Sequence, residues 1–122
     1  MAESCAMFLS VLLNSQSQAH QFHWETKSYA RHKALEKYYE TIGDLADDYA
    51  ETYMGLEGER VTGFTVAPEI YTADADVLSY FTALEQYVRD AAKALPTSPD
   101  LVNIHADILA LIHRTQYLLS LS

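Results

Sequence analysis

The chain has 122 residues and a formal charge of −9, from 8 Lys+Arg against 17 Asp+Glu. That length suits one domain, residues 1–122, and 49% hydrophobic with 20% charged residues excludes a disordered chain. The acidity weighs against nucleic acid and anionic membrane as partners, and the single cysteine, Cys5, excludes an internal disulfide and fits a reducing, cytoplasmic setting.

Scarce Gly and Pro (4 and 3) and helical spacing throughout predict an all-α chain. The apolar stretch Ala6–Leu13 is too short to span a bilayer and lacks the basic flank of a signal peptide. The first helix is expected from Ser4 to about Lys27, with Phe8, Val11, Leu12, Ser15, Ala19 and Phe22 inward. Ser28 caps a second, carrying Leu35, Tyr38, Ile42, Leu45, Tyr49 and Tyr53 and stopping at Gly55. The turn between them is short, so they lie antiparallel. Residues 55–73, with Gly55, Gly58, Gly63 and Pro68, read as an ordered loop. A third helix is expected from near Asp74 to Leu95, with Leu78, Phe81, Leu84, Tyr87 or Val88 and Ala91 inward. Ser98-Pro99-Asp100 starts the fourth, which carries Leu101, Ile104, Ile108, Leu111, Ile112, Leu118 and Leu119.

Short, long, short connections predict a ferritin-like four-helix bundle with one long crossover between the second and third helices. About nineteen residues can reach roughly 60 Å extended, enough to run the length of a bundle of this size.

The second helix concentrates acid: Glu36, Glu40, Asp44, Asp47, Asp48 and Glu51, with Lys37 the only base among positions 36–51. Asp44 and Asp48 read as solvated surface. His32, Glu36, Gly43, Asp47 and Glu51 fall along one stripe, with Glu40 near it, beside the stripe of Leu35, Ile42 and Tyr49. Glu36 and Asp47, eleven residues apart, are separated by about 16 Å on a straight helix, so one chain cannot close a metal site from them. Two chains can. The pairs His32/Glu51 and Glu36/Asp47 share one midpoint, between Thr41 and Ile42. Crossing two copies of the helix antiparallel about a two-fold axis there brings His32 and Glu36 of one chain to Glu51 and Asp47 of the other. The same operation sets Glu40 opposite Gly43, the only glycine inside a predicted helix, and close approach of the two helices would explain it. His20-Gln21-Phe22-His23-Trp24 ends the first helix, and the short turn brings His23 beside His32. Imidazole with carboxylate and no thiolate suits iron, manganese or zinc, and Trp24 would shield the site and take up stray oxidising equivalents.

This string, His20-Gln21-Phe22-His23-Trp24, then His32-x-x-Leu35-Glu36, then Asp47-x-x-x-Glu51, resembles the ferroxidase motif of Dps proteins, the ferritin-like mini-ferritins that protect DNA during starvation. His23 through Leu35 is still more similar to small uncharacterised ferritin-like proteins of tailed phages. The resemblance covers residues 19–55. It implies metal ligands His23, His32 and Glu36 from one subunit and Asp47 and Glu51 from its two-fold mate, with oxidation of Fe(II) by peroxide or oxygen and storage in a hollow dodecamer. His20 and Glu40 are weaker candidates. His23 and His32 stand nine residues apart, three fewer than in Dps, and the basic DNA-binding tail and the loop helix of Dps have no counterpart. A homodimer is therefore expected, with a higher oligomer left open. No Glu has His three positions on, so the paired Glu-x-x-His ligands of other di-iron bundles are absent.

His105 and His113, with Asp107 between them, read as surface or interface residues, the tyrosines as core and interface, and Cys5 as buried. No catalytic residue is assigned apart from the metal ligands. Two functions remain: a metal-binding, ferroxidase-like dimer, or a non-enzymatic phage accessory or host-interaction protein whose polar stripe is a salt-bridged dimer interface.

Overall fold

A computed structural model describes residues 1–65 and 74–121. They form four α-helices: α1 (Ala2–Glu25), α2 (Tyr29–Glu57), α3 (Val77–Ala91) and α4 (Pro99–Leu119). Short 3-10 turns, Asp74–Asp76 and Ala92–Ala94, flank α3. The described residues contain no strand, and the chain is an all-α four-helix bundle. Most of the expected 55–73 loop, residues 66–73, lies outside the described residues.

Local chemistry sets the ends. Ser28 caps α2 by accepting the Arg31 N–H at 3.2 Å, as its position implies. The other end differs from expectation. The helix passes through Gly55 for another turn and stops at Gly58, whose φ of 73° is the left-handed conformation that favours glycine. Gly55 keeps a negative φ inside the helix, at a cost of about 1 kcal/mol relative to Ala, and the closing bond is made by the Gly58 N–H, which donates to the Met54 carbonyl at 2.9 Å. At α4, Pro99 occupies the first turn, but Ser98 does not cap: its hydroxyl donates to the Asp100 carboxylate, which accepts the Leu101 N–H at 2.9 Å. Those two bonds hold the Asp100 carboxyl below its ordinary range.

The core runs along the axis through Phe8, Phe22, Leu35, Tyr38, Ile42, Tyr49, Phe81 and Ile112, all essentially inaccessible. The Tyr38 hydroxyl pairs with Ser15 at 2.7 Å, so this buried polar group is not left unsatisfied. Helices α1 and α2 run antiparallel, with Phe8 against Tyr49 at one end and His23 against His32 at the other. Helix α3 begins beside the start of α2: Arg31 donates to the Asp74 carbonyl at 2.9 Å, and Phe81 packs edge-on to Tyr38 at 5.0 Å. Before the undescribed stretch, the Thr65 N–H donates to Ser10 in the first half of α1. Leu78, expected inward, is 44% exposed, because the inward place in the first turn of α3 is taken by Val77, which is fully buried. Cys5 is buried, and burial pushes its thiol up to about 11, leaving it unreactive.

His113 is exposed and bonded to Glu85 at 2.9 Å, a carboxylate also held by Arg89. His105 is different: it is buried, stacked on Phe8 at 5.2 Å, and its Nε2 donates to the Val88 carbonyl at 2.8 Å. That carbonyl is in the last turn of α3, where intrahelical partners run out. Surface placement is thus corrected for His105. Burial lowers its pKa, so the folded chain keeps it neutral while the unfolded chain takes up the proton as pH falls through about 6.5. Stability should therefore decline as pH drops from 7 toward 5.5, and urea midpoints of His105→Gln should decline less steeply over that window.

Candidate metal centre

The three-residue turn Thr26–Ser28 folds the end of α1 onto the first turn of α2 and sets His23 and His32 face to face, ring centroids 3.7 Å apart and planes within 18°. The two residues exchange hydrogen bonds. His23 Nδ1 lies 2.7 Å from the His32 carbonyl, and His32 Nδ1 lies 2.8 Å from the His23 carbonyl. The His23 carbonyl is among the last of α1, without an intrahelical partner, so His32 supplies what the helix end lacks. A carbonyl can only accept, so each Nδ1 donates its proton there, and Nε2 is the ring nitrogen left to face a ligand. This is the arrangement by which metal-binding histidines are oriented by their surroundings.

Glu36, one turn beyond His32, completes a group. One ligand atom from each of His23, His32 and Glu36 lies within 4.8 Å of the others. His23 is buried and the other two are half-buried, so the group opens outward. Glu36 also meets the Lys33 ammonium at 3.4 Å, a largely exposed pair that a bound cation would displace at little cost.

Asp47 and Glu51 are not brought to this group. Helix α2 is continuous between them and Glu36, and both are exposed, as are Asp44 and Asp48. Glu40 is exposed as well. His20 stacks on Tyr39 at 4.0 Å and stands 5.9 Å from His23, beside the three-residue group rather than in it. Partial burial, then the charges of Glu36 and Glu40, push the Tyr39 phenol upward. Trp24 packs against His20 at 4.5 Å but is 70% exposed. Shielding by Trp24 is therefore not a property of the single chain. Together His20, Trp24, Tyr39 and Glu40 line an open cavity of about 850 Å³ along the α1/α2 seam.

The account of Gly43 is also revised. Inside the chain its bare Cα accommodates Gln16 of α1, whose Nε2 would lie 2.5 Å from a Cβ there and donates to the Tyr39 carbonyl at 3.0 Å. In Gly43→Ala the far end of Gln16 would swing aside. The lost hydrogen bond, about 1 kcal/mol, is offset by the better helix propensity of alanine, also about 1 kcal/mol. Monomer stability should change by less than about 1 kcal/mol in chemical denaturation, while any self-association through this face should weaken in sedimentation.

What sequence reasoning missed was the exchanged Nδ1–carbonyl pair. The only signal for it was the short His23-to-His32 spacing across a turn.

No helix among the described residues is long and apolar enough to cross a membrane. Comparison with known proteins gives two relatives. An uncharacterised 14.6 kDa protein encoded between mobD and ri in Enterobacteria phage T4 is 31% identical over 114 residues, covering 93% of this chain and 86% of that protein. DNA protection during starvation protein 2 of Deinococcus radiodurans is 31% identical over an alignment covering 77% of this chain, which spans 47% of that relative's length. No solved structure matches. The profile of a family of unknown function, DUF5856, matches residues 23–119, from the first histidine of the centre almost to the end of α4, and this chain belongs to that family.

Proposed function

We propose that this chain is a ferritin-like protein that binds Fe(II) as substrate in a site shared by two copies, and that it oxidises the iron with peroxide or oxygen. The observation that carries the reading is the His23–His32–Glu36 group, with both Nδ1 atoms committed to carbonyls and both Nε2 atoms left for a cation. Three ligands with an open side suit a metal that must be reached by an oxidant. Imidazole and carboxylate without thiolate suit iron, and equally manganese or zinc. The similarity to a starvation-protection protein of Deinococcus radiodurans supports the same reading. So does the parallel course of α2 and α3, which a crossover connection would produce.

In this reading the second copy supplies Asp47 and Glu51 across a two-fold axis at Thr41–Ile42, and the exposure of both residues in the single chain leaves them available. His23 and His32 hold iron through Nε2, while the paired carbonyl bonds keep the rings from turning away. Glu36 exchanges Lys33 for the metal. Two Fe(II) ions each give one electron to one peroxide, its O–O bond breaks, and hydrolysis of the ferric product releases protons to the surrounding water, reached through the open side of the site. Trp24, exposed in one chain, would be covered by the partner. The setting is the cytoplasm, that of the host if a phage encodes the chain.

The phage T4 relative favours one further reading, a phage accessory or host-interaction protein that keeps the bundle for its shape. Inter-subunit salt bridges such as His32–Glu51 would then replace the metal. Anaerobic Fe(II) titration by calorimetry, followed by peroxide, separates the two. Stoichiometric binding and oxidation faster than in protein-free buffer are expected. Binding no tighter than that of the His32→Ala/Asp47→Ala double variant would overturn the iron reading.

A further inference from the structure

We propose that the α2/α4 face carries a second binding site, for a small amphipathic anion: a carboxylate or sulfonate on an apolar body. A cavity of about 310 Å³ opens there, at the lower end of the ~300–1,000 Å³ range of small-molecule sites. Its floor is apolar and closed, formed by Ala34, Leu111 and Thr115, each no more than 4% exposed. The Thr115 hydroxyl donates to the Leu111 carbonyl at 2.8 Å, so the floor offers no free donor. Tyr117, 64% exposed, forms an aromatic wall.

The rim carries the recognition. Lys37 and Arg114 both line the cavity, and neither forms an ion pair among the described residues. Arg114 has no acid within one helical turn on either side, since positions 110, 111, 117 and 118 are Ala, Leu, Tyr and Leu. Glu40 lies one turn from Lys37, yet the two do not pair. In a chain of charge −9, where Arg31, Lys33, Arg89 and Lys93 all hold carboxylates, Lys37 and Arg114 bring two cations without an ion pair among the described residues to the mouth of one apolar floor. A guanidinium and an ammonium at the mouth suit one anionic head, the planar fork gripping two of its oxygens. The floor then takes the apolar body. The general field of an acidic protein repels anions, so their capture requires this local arrangement. The proposal is independent of iron, because Lys37 and Arg114 belong to neither the histidine group nor the acidic stripe.

The test uses anilinonaphthalene sulfonate and its uncharged counterpart N-phenylnaphthylamine, titrated into the full chain with fluorescence and calorimetric readout. One sulfonate per chain is expected, bound at least tenfold tighter than the neutral dye and displaced by decanoate. In Lys37→Gln/Arg114→Gln the two affinities should come within threefold of each other. Both residues are exposed and unpaired, so circular dichroism should be unchanged. Lys27→Gln/Arg60→Gln, which removes the same charge elsewhere, should keep the tenfold preference. Equal binding of the two dyes to the wild type, no sulfonate binding, or loss of preference in both double variants would overturn the proposal.

Discussion

Fe(II) affinity should fall at least 100-fold in His32→Ala, with a stability loss of about 1 kcal/mol, read by anaerobic calorimetry and urea denaturation. Groups that merely orient a metal-bound imidazole are worth about 10–100-fold in metal affinity, and this change removes a ligand together with its share of the orienting contacts. His32 donates to the His23 carbonyl and stacks on the His23 ring. Its loss leaves a helix-end carbonyl without a donor and the remaining imidazole with more freedom. The His23 bond survives, because its acceptor is the backbone carbonyl at position 32. His32→Gln separates the two effects. Its amide N–H can donate to the same carbonyl, restoring much of the stability, but it offers no imidazole lone pair, so the affinity should stay low.

Asp47→Ala and Glu51→Ala should lower Fe(II) affinity as far as His32→Ala while moving stability by less than about 0.5 kcal/mol. Neither acid forms an ion pair among the described residues, and both are exposed, so the folded chain loses nothing by their removal. Within one chain the expected effect on metal would have no cause. Asp47 lies eleven residues beyond Glu36 on a continuous helix, about 16 Å away. A large loss of affinity at that distance, with unchanged stability, is the signature of a ligand supplied by a second copy.

Much of this was legible in the sequence because its causes are local. Apolar spacing located four helices, and Ser28 capped α2 as its residue type and position required. The tight turn after His23 and the antiparallel course of α1 and α2 bring the two histidines together. The errors have tertiary causes. Gly55 and Gly58 are equally plausible stops on propensity, and it is Gly58 that takes the left-handed conformation and closes the helix on the Met54 carbonyl. Gly43 announced a close approach but not by what, and Gln16 of α1 fills the space. His105 stood in a pattern that fits surface as well as core, and its burial goes with two tertiary contacts, the Val88 carbonyl and the Phe8 ring. Asp47 and Glu51 were singled out by symmetry of spacing, a property of two chains that the fold of one chain neither uses nor opposes.

That two-chain symmetry is the central claim, and mixing two inactive variants tests it most directly. His32→Ala and Asp47→Ala homodimers each lack a complete site. In a mixed dimer, however, one site joins the intact His32 of the Asp47→Ala chain to the intact Asp47 of the His32→Ala chain, and the other site is doubly broken. Equal parts exchanged at random give about half mixed dimers, each with one good site in two, so about a quarter of wild-type Fe(II) binding should return. Restoration to about that level is the expected result. Two variants that each bind no iron and still bind none after subunit exchange would contradict a site shared between chains.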